Sequence, residues 1–285
     1  MTRKSLFHFA LVGLLWGIPY LLMKVAVEDF PPAAVVAGRT LIGASILIPI
    51  AIYRKKFGGA VLGFKYVAFY ALMEMIGPWI LITTAEQKIN SGLAGLLVST
   101  VPIFATIITS LRGDHSVWEF KRIFGIVVGF IGLILVVGIE SLSGNSDPLS
   151  IAMVIVASMG YAYAVIMVTS NLPLVDGIAI NGLAMAITSV FWAPVAIAQW
   201  PSSISMNSAL SLLALGVFST AFAFILFFKV MAEIGPARSS LVTYLNTAIA
   251  VLLGVIILRE PLTIGIIVGL PLVLVGSYLA SRKTA

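Results

Sequence analysis

The chain has 285 residues, 60% of them hydrophobic and only 10% charged, with a net charge of +6 at neutral pH. Soluble domains run at about 45–50% apolar and about 25% charged, so a soluble globular protein is excluded. Without cysteine there is no disulfide, thiolate nucleophile or sulfur-ligated metal, and the phosphate-cradling run GxxxxGK followed by Ser or Thr is absent.

A membrane crossing needs ~20 apolar residues. Ten stretches qualify: 5–27, 33–52, 64–84, 92–111, 120–139, 149–169, 177–199, 208–232, 237–258 and 262–281. The connections between them are too short for a nucleotide-binding or soluble catalytic domain. Arg3-Lys4 before an apolar run resembles a signal peptide, but the run continues to Val27, too long for that role, and reads as a retained first span.

Span one carries Trp16-Gly17-Ile18-Pro19-Tyr20 near mid-depth. Pro19 removes a backbone donor and predicts a kink, and Trp16 and Tyr20, four residues apart, share one face. Aromatic belts sit at interfaces, so a mid-depth pair points to a cavity, with lipid contact as the alternative. Lys24 and Arg39 lie toward the outer ends of spans one and two. Snorkelling to headgroups explains both; alternatively Arg39 grips a substrate carboxylate, or holds a gate through Glu28 or Asp29.

Span three holds Glu74 between Met73 and Met75, where an ionised carboxylate is expensive. It reads as a proton-coupling site, an anchor for a substrate ammonium, a structural partner of Lys24 or Arg39, or a neutral hydrogen-bonded acid. Trp79 follows in the same span, and Tyr163 in span six, as further cavity candidates. Ser99 in span four and Tyr244 and Asn246 in span nine are expected to face one another across the repeat axis, as substrate contacts or as hydrogen-bonding glue between helices. His8 and His115 sit apart at helix ends and form no metal or catalytic cluster.

Two halves repeat. Gly125-Ile-Val-Val-Gly129-Phe-Ile-Gly132 matches Gly269-Leu-Pro-Leu-Val-Leu-Val-Gly276, and Ser99–Ala105 precedes Tyr244–Ala250 by 145 positions. Gly125, Gly129 and Gly132 in span five, and Gly265, Gly269 and Gly276 in span ten, form small-residue faces that predict close helix packing or a dimer surface. The expected units are residues 1–143 and 144–285. Five spans per copy is odd, so the second copy enters the membrane inverted, the arrangement of many secondary transporters. The expected fold is an all-α polytopic membrane protein of ten helices in two inverted five-helix repeats. With both termini cytoplasmic, all of the 17 Lys and Arg except Lys24, Arg39, Lys88 and Arg259 fall on the cytoplasmic side.

These residues resemble the drug/metabolite transporter superfamily, and within it the ten-helix EamA-like exporters. The likeness rests on Leu15-Trp16-Gly17 with Lys24, Pro32 with Arg39, Ala85, Val101-Pro102-Ile103-Phe104-Ala105, Tyr244-Leu245, Leu258-Arg259-Glu260-Pro261-Leu262-Thr263 and Gly269…Gly276. Thr247 departs from it where the family often has proline, as does Asp114-His115 at the first-copy counterpart of Glu260. The resemblance is strongest to bacterial aromatic amino-acid exporters. It implies an inner-membrane protein that exports small amphipathic metabolites, aromatic or hydrophobic amino acids first, by alternating access. A cationic drug or lipid-linked metabolite is the alternative cargo, and an intramembrane enzyme the remote one. The expected partners are the substrate, the lipid bilayer and a coupling proton; no nucleic acid, cofactor or metal is expected, and the chain is a monomer or weak homodimer.

Overall fold

The computed structural model describes residues 3–113, 119–142, 147–234, 239 and 241–281, which form helices and connecting turns without a strand. Seven stretches are long and apolar enough to cross a membrane: Arg3–Ala26, Pro32–Tyr53, Phe64–Ala85, Ser91–Leu111, Pro148–Asn171, Gly177–Ala198 and Met206–Ile234. Phe120–Leu142 and the shorter Val242–Ile256 and Ile264–Ser281 complete the ten spans, named below by ordinal in chain order. Asp114 and His115, with the basic residues Arg238, Arg282 and Lys283, lie outside the described residues.

The duplication is visible in the packing. Span ten lies along span five, span seven along span two, span nine against span one, and span six against span four. Spans two and seven begin at Pro32 and Gly177, 145 residues apart, and each carries an internal proline, Pro49 and Pro194, at the same separation.

Spans three and eight, expected as plain α-helices, are each interrupted by a π-helical segment, Leu72–Ile76 and Leu215–Phe222. In span three Pro78 stands at the start of the resumed helix Gly77–Ala85. It has no N–H to offer the carbonyl four residues earlier, that of Glu74, and a π turn accommodates the misfit. The widened turn releases carbonyls to other spans. Trp192 Nε1 of span seven donates to Ile76 O at 3.1 Å. Gly160 of span six comes so close to Met73 that a Cβ there would stand 2.8 Å from the Met73 oxygen.

Span four breaks between Ser91–Val98 and Val101–Leu111, again ahead of a proline, Pro102. The Ser99 and Thr100 hydroxyls each donate back to a carbonyl of the preceding turn, Leu96 O and Leu97 O, both at 2.6 Å. Span one, by contrast, remains helical through Pro19 from Arg3 to Ala26. The break in the helix is in span four.

Two ends can be distinguished. At the end opposite the termini, called distal here, Ser205 N donates to Asp29 Oδ2 at 2.9 Å and Lys88 Nζ lies 3.7 Å from Asp147 Oδ2. Hydrogen bonds from Ser205 hold the exposed Asp29 carboxyl below the usual carboxylate range, and Ser150 does the same for Asp147. At the terminal end His8 Nδ1 lies 3.3 Å from Glu233 Oε1. Spans five and ten meet through glycine: a Cβ on Gly276 would collide with the Gly129 backbone, and one on Gly132 would sit 2.8 Å from Leu272 Cβ. A Cβ on Gly269 would collide with the Val136 side chain, and Gly125 and Gly265 are buried nearby.

Candidate substrate site

Arg39 is the centre of the site. Its position on span two, well inside the bundle, leaves it 6% exposed. The guanidinium carbon stands 3.9 Å from the centroid of the Trp79 ring. Nε and Nη2 both donate to Thr220 Oγ1, at 3.3 and 3.1 Å, and Nη1 meets Met23 Sδ at 3.6 Å. A guanidinium has five N–H donors, and here they find one hydroxyl and one thioether. No carboxylate lies within 4.0 Å of it among the described residues. A buried cation without a counter-ion is costly unless something else completes its shell. The cation–π contact with Trp79 recovers part of that cost, since such contacts contribute roughly 0.5–2 kcal/mol.

A second polar centre lies in the π segment of span three. Glu74 Oε2 is buried and has no hydrogen-bond partner. Tyr70 and Tyr161 are within its electrostatic reach, and Tyr161 also feels Arg39 and Tyr20. Tyr161, from span six, stands beside Trp79 and so bridges the two centres. Tyr70 itself is committed, its hydroxyl donating to Asn181 Oδ1 of span seven at 3.1 Å. The repeat carries this centre into the second half: 145 residues after Glu74 comes Ser219, in the other π segment, whose buried Oγ is also without a partner.

Aromatic surface is supplied from span one. Trp16 packs on Phe227 and edge-on to Phe224 of span eight, at centroid distances of 4.6 and 5.6 Å. Tyr20, one turn on, is buried beside Gly95 of span four and within reach of the Arg39 charge. Tyr20, Trp79 and Arg39 are buried, Trp16 and Glu74 are half-buried, and Pro19 is buried in span one.

Other positions fall elsewhere. Lys24 does not snorkel: its ammonium donates to Glu86 O and Ile89 O at 2.6 and 2.8 Å, closing the last turn of span three. Arg39 touches neither Glu28 nor Asp29, and neither basic residue pairs with Glu74. Tyr163 is 38% exposed and edge-on to Phe69, on the outside of the bundle, because it follows Tyr161 by two residues and so faces away from it. Ser99 turns to its own helix, and its carbonyl accepts from Ser277 Oγ of span ten at 2.8 Å. Tyr244 meets Tyr278 edge-on, also on span ten. Asn246 is half-buried beside Gly17 and accepts from Thr247 Oγ1 at 3.3 Å.

Spans four and nine do meet, but nearer the distal end than Ser99 and Tyr244. Span nine packs along Ser91–Val98 rather than Val101–Leu111. A Cβ on Gly95 would be 2.8 Å from Ala250 Cβ, one on Gly92 3.2 Å from Val251 Cα, and Thr247 Oγ1 donates to Gly95 O at 3.3 Å. Glu260 ties this contact: its carboxylate accepts from Ser91 N and Ser91 Oγ, both at 2.8 Å, and from Gly92 N at 3.3 Å. That places an anion on the unsatisfied donors of a helix N-terminus.

The sequence profile of the EamA-like transporter family matches residues 3–138 and again 148–282. The uncharacterized transporter YoaV of Bacillus subtilis is 28% identical over 94% of this chain and 93% of its own length. An uncharacterized transporter of Archaeoglobus fulgidus is 26% identical over 98% and 99%, and the uncharacterized inner membrane transporter YedA of Escherichia coli 26% over 95% and 90%. A solved crystal structure superposes with a TM-score of 0.65 at 15% identity, over 99% of this chain and 98% of that one, and shares the fold.

Proposed function

The chain belongs to the EamA-like transporter family, and from that membership we propose a secondary exporter of small amphipathic amino acids, aromatic and hydrophobic ones first. It works by alternating access about a midplane cavity between two inverted halves, residues 1–143 and 144–285. The observation that carries the substrate class is Arg39, a buried guanidinium whose protein partners are a ring face, a hydroxyl and a sulfur. A substrate carboxylate supplies the missing counter-ion in the planar geometry that arginine matches. The substrate ring lies among Trp79, Tyr161 and the Trp16–Phe224 pair. Its ammonium takes the free oxygen of Glu74, which needs a donor as much as Arg39 needs an acceptor.

The skew of Lys and Arg toward the terminal end supports cytoplasmic termini. With spans four and nine joined at the distal end, the conformation described is then closed to the outside. Export proceeds when this contact parts and the mirrored one, near the terminal end, forms.

Counterflow into proteoliposomes loaded with unlabelled substrate tests the reading. Labelled Phe, Trp and Leu are expected to exchange, and a nucleotide sugar is not. Failure of every amino acid to exchange removes the substrate claim, and exchange of a lipid-linked or cationic cargo instead replaces it.

A further inference from the structure

The centre just described leaves one buried acid unused. Glu86 caps the end of span three at the distal face and is 0% exposed, with neither carboxylate oxygen hydrogen-bonded. Lys24 is beside it but gives two of its three N–H donors to the backbone carbonyls of Glu86 and Ile89. The other groups around it are Tyr20 of span one and Glu260 of the turn between spans nine and ten. Lys88, two residues along, is turned to Asp147, and Asp29 is held by Ser205.

A buried carboxylate is costly unless hydrogen bonds stabilise it, and a neighbouring acid adds to the cost. Half-buried Glu260 accepts three, all from the start of span four. Glu86 accepts none. Burial pushes its carboxyl well above the usual carboxylate range; Lys24 opposes this and Glu260 adds to it.

We infer that Glu86 is a proton-binding site of the transport cycle, loaded whenever the distal end is closed. Closure buries Glu86 against Lys24, Tyr20 and Glu260, and a carboxylate left there would have no donor. Opening admits water, which solvates the anion and lets the proton go to the distal side. Closure therefore takes up a proton, so the closed form is favoured as pH falls and is lost as pH rises through the raised value. The inference depends on the distal contact being a gate, as the alternating-access reading requires. It is independent of which substrate is carried, and it leaves Glu74 to the substrate.

Infrared titration of the full chain in liposomes reads this without substrate. In the difference spectrum between wild type and Glu86→Gln, the carbonyl stretch of a protonated carboxyl is expected at neutral pH and to bleach only on the alkaline side. The same difference band should appear when both proteins also carry Glu74→Gln. If the Gln variant does not hold its fold, Glu86→Asp serves, because it moves the band without deleting it. In counterflow, Glu86→Gln is expected to exchange at a rate that no longer varies with pH. A band already lost at neutral pH in the wild type, or one that leaves with Glu260→Gln instead, overturns the inference. Absence of amino-acid exchange in the wild type, with the band intact, counts only against the substrate reading.

Discussion

Arg39 rests its guanidinium 3.9 Å above the ring of Trp79 and shares a single hydroxyl, that of Thr220, between two of its nitrogens. The three residues come from spans two, three and eight, so the contact joins the two halves of the molecule. A carboxylate entering here completes the arginine without displacing a protein acid. Charge-assisted hydrogen bonds contribute about 1.5–3 kcal/mol, so Arg39→Met should weaken apparent affinity for phenylalanine by about 10–100-fold. Arg39→Lys should recover only part of that, because an ammonium offers neither the planar fork nor the same stacking on Trp79. Phenylalaninamide, which lacks the carboxylate, should respond little to either change. Concentration dependence of counterflow measures all of these; equal losses for both compounds would assign Arg39 to the scaffold.

Glu74 gives the complementary result. Its free Oε2 faces the tyrosine-lined side of the site. Glu74→Gln keeps the shape and removes the charge, and should raise the half-saturating concentration of amino acids about tenfold for a lost charge-assisted bond. The decisive readout is the pH profile, which should be unchanged. A variant made pH-independent by this substitution would move the proton site from Glu86 to Glu74.

Much of this was legible in the sequence, and the misses have a common cause. Apolar run length gave the ten spans, because a bilayer imposes a length that needs no tertiary information. Glu74 and Trp79 stood out for their chemistry at mid-depth. Arg39 and Lys24 were harder to place, since a long basic side chain near a span end has two destinations and only packing chooses between them. Tyr163 has the chemistry of a cavity residue, but it lies two residues from Tyr161, and two residues on a helix turn a side chain to nearly the opposite face. The π segment of span three was hidden because Pro78 looks like any helix-start proline, and that of span eight because no proline marks it. Applying the 145 offset to Glu74 would have found Ser219 and, next to it, Thr220.

The distal contact between spans four and nine should be adjustable. Ser91 supplies two of the three donors to Glu260, and Gly254 leaves room for that carboxylate, which a Cβ at 254 would meet directly. Ser91→Ala removes one donor and Gly254→Ala crowds the acceptor. Losing a buried hydrogen bond costs about 1–3 kcal/mol, enough to shift the closed-to-open ratio by about 5- to 150-fold. The wild-type chain has no cysteine, so a single cysteine in place of Val98, buried below the contact, reports opening without background. Its modification by an impermeant thiol reagent added from the distal side should accelerate by a similar factor in both variants. Unchanged rates would mean that Glu260 does not hold this end shut.

Spans five and ten should behave as scaffold. Gly276 lies against the backbone of Gly129, so any side chain at 276 must push two helix backbones apart, and backbone yields less than a flexible side chain tip. Overpacking of a tight interior costs typically 1–3 kcal/mol, and Gly276→Val should sit at the upper end or beyond because the obstacle is main chain. Gly132→Ala adds a smaller group that meets Leu272 Cβ and the Val273 backbone nitrogen at 2.8 Å, a shallower overlap than at 276, and should cost less. The folded fraction after heating in detergent, followed by size-exclusion fluorescence, ranks the two. Counterflow per folded molecule should remain near wild type in both, since neither glycine approaches Arg39, Trp79 or Glu74. A Gly276→Val protein that folds normally but exchanges slowly would instead make the five–ten contact a moving part of the cycle.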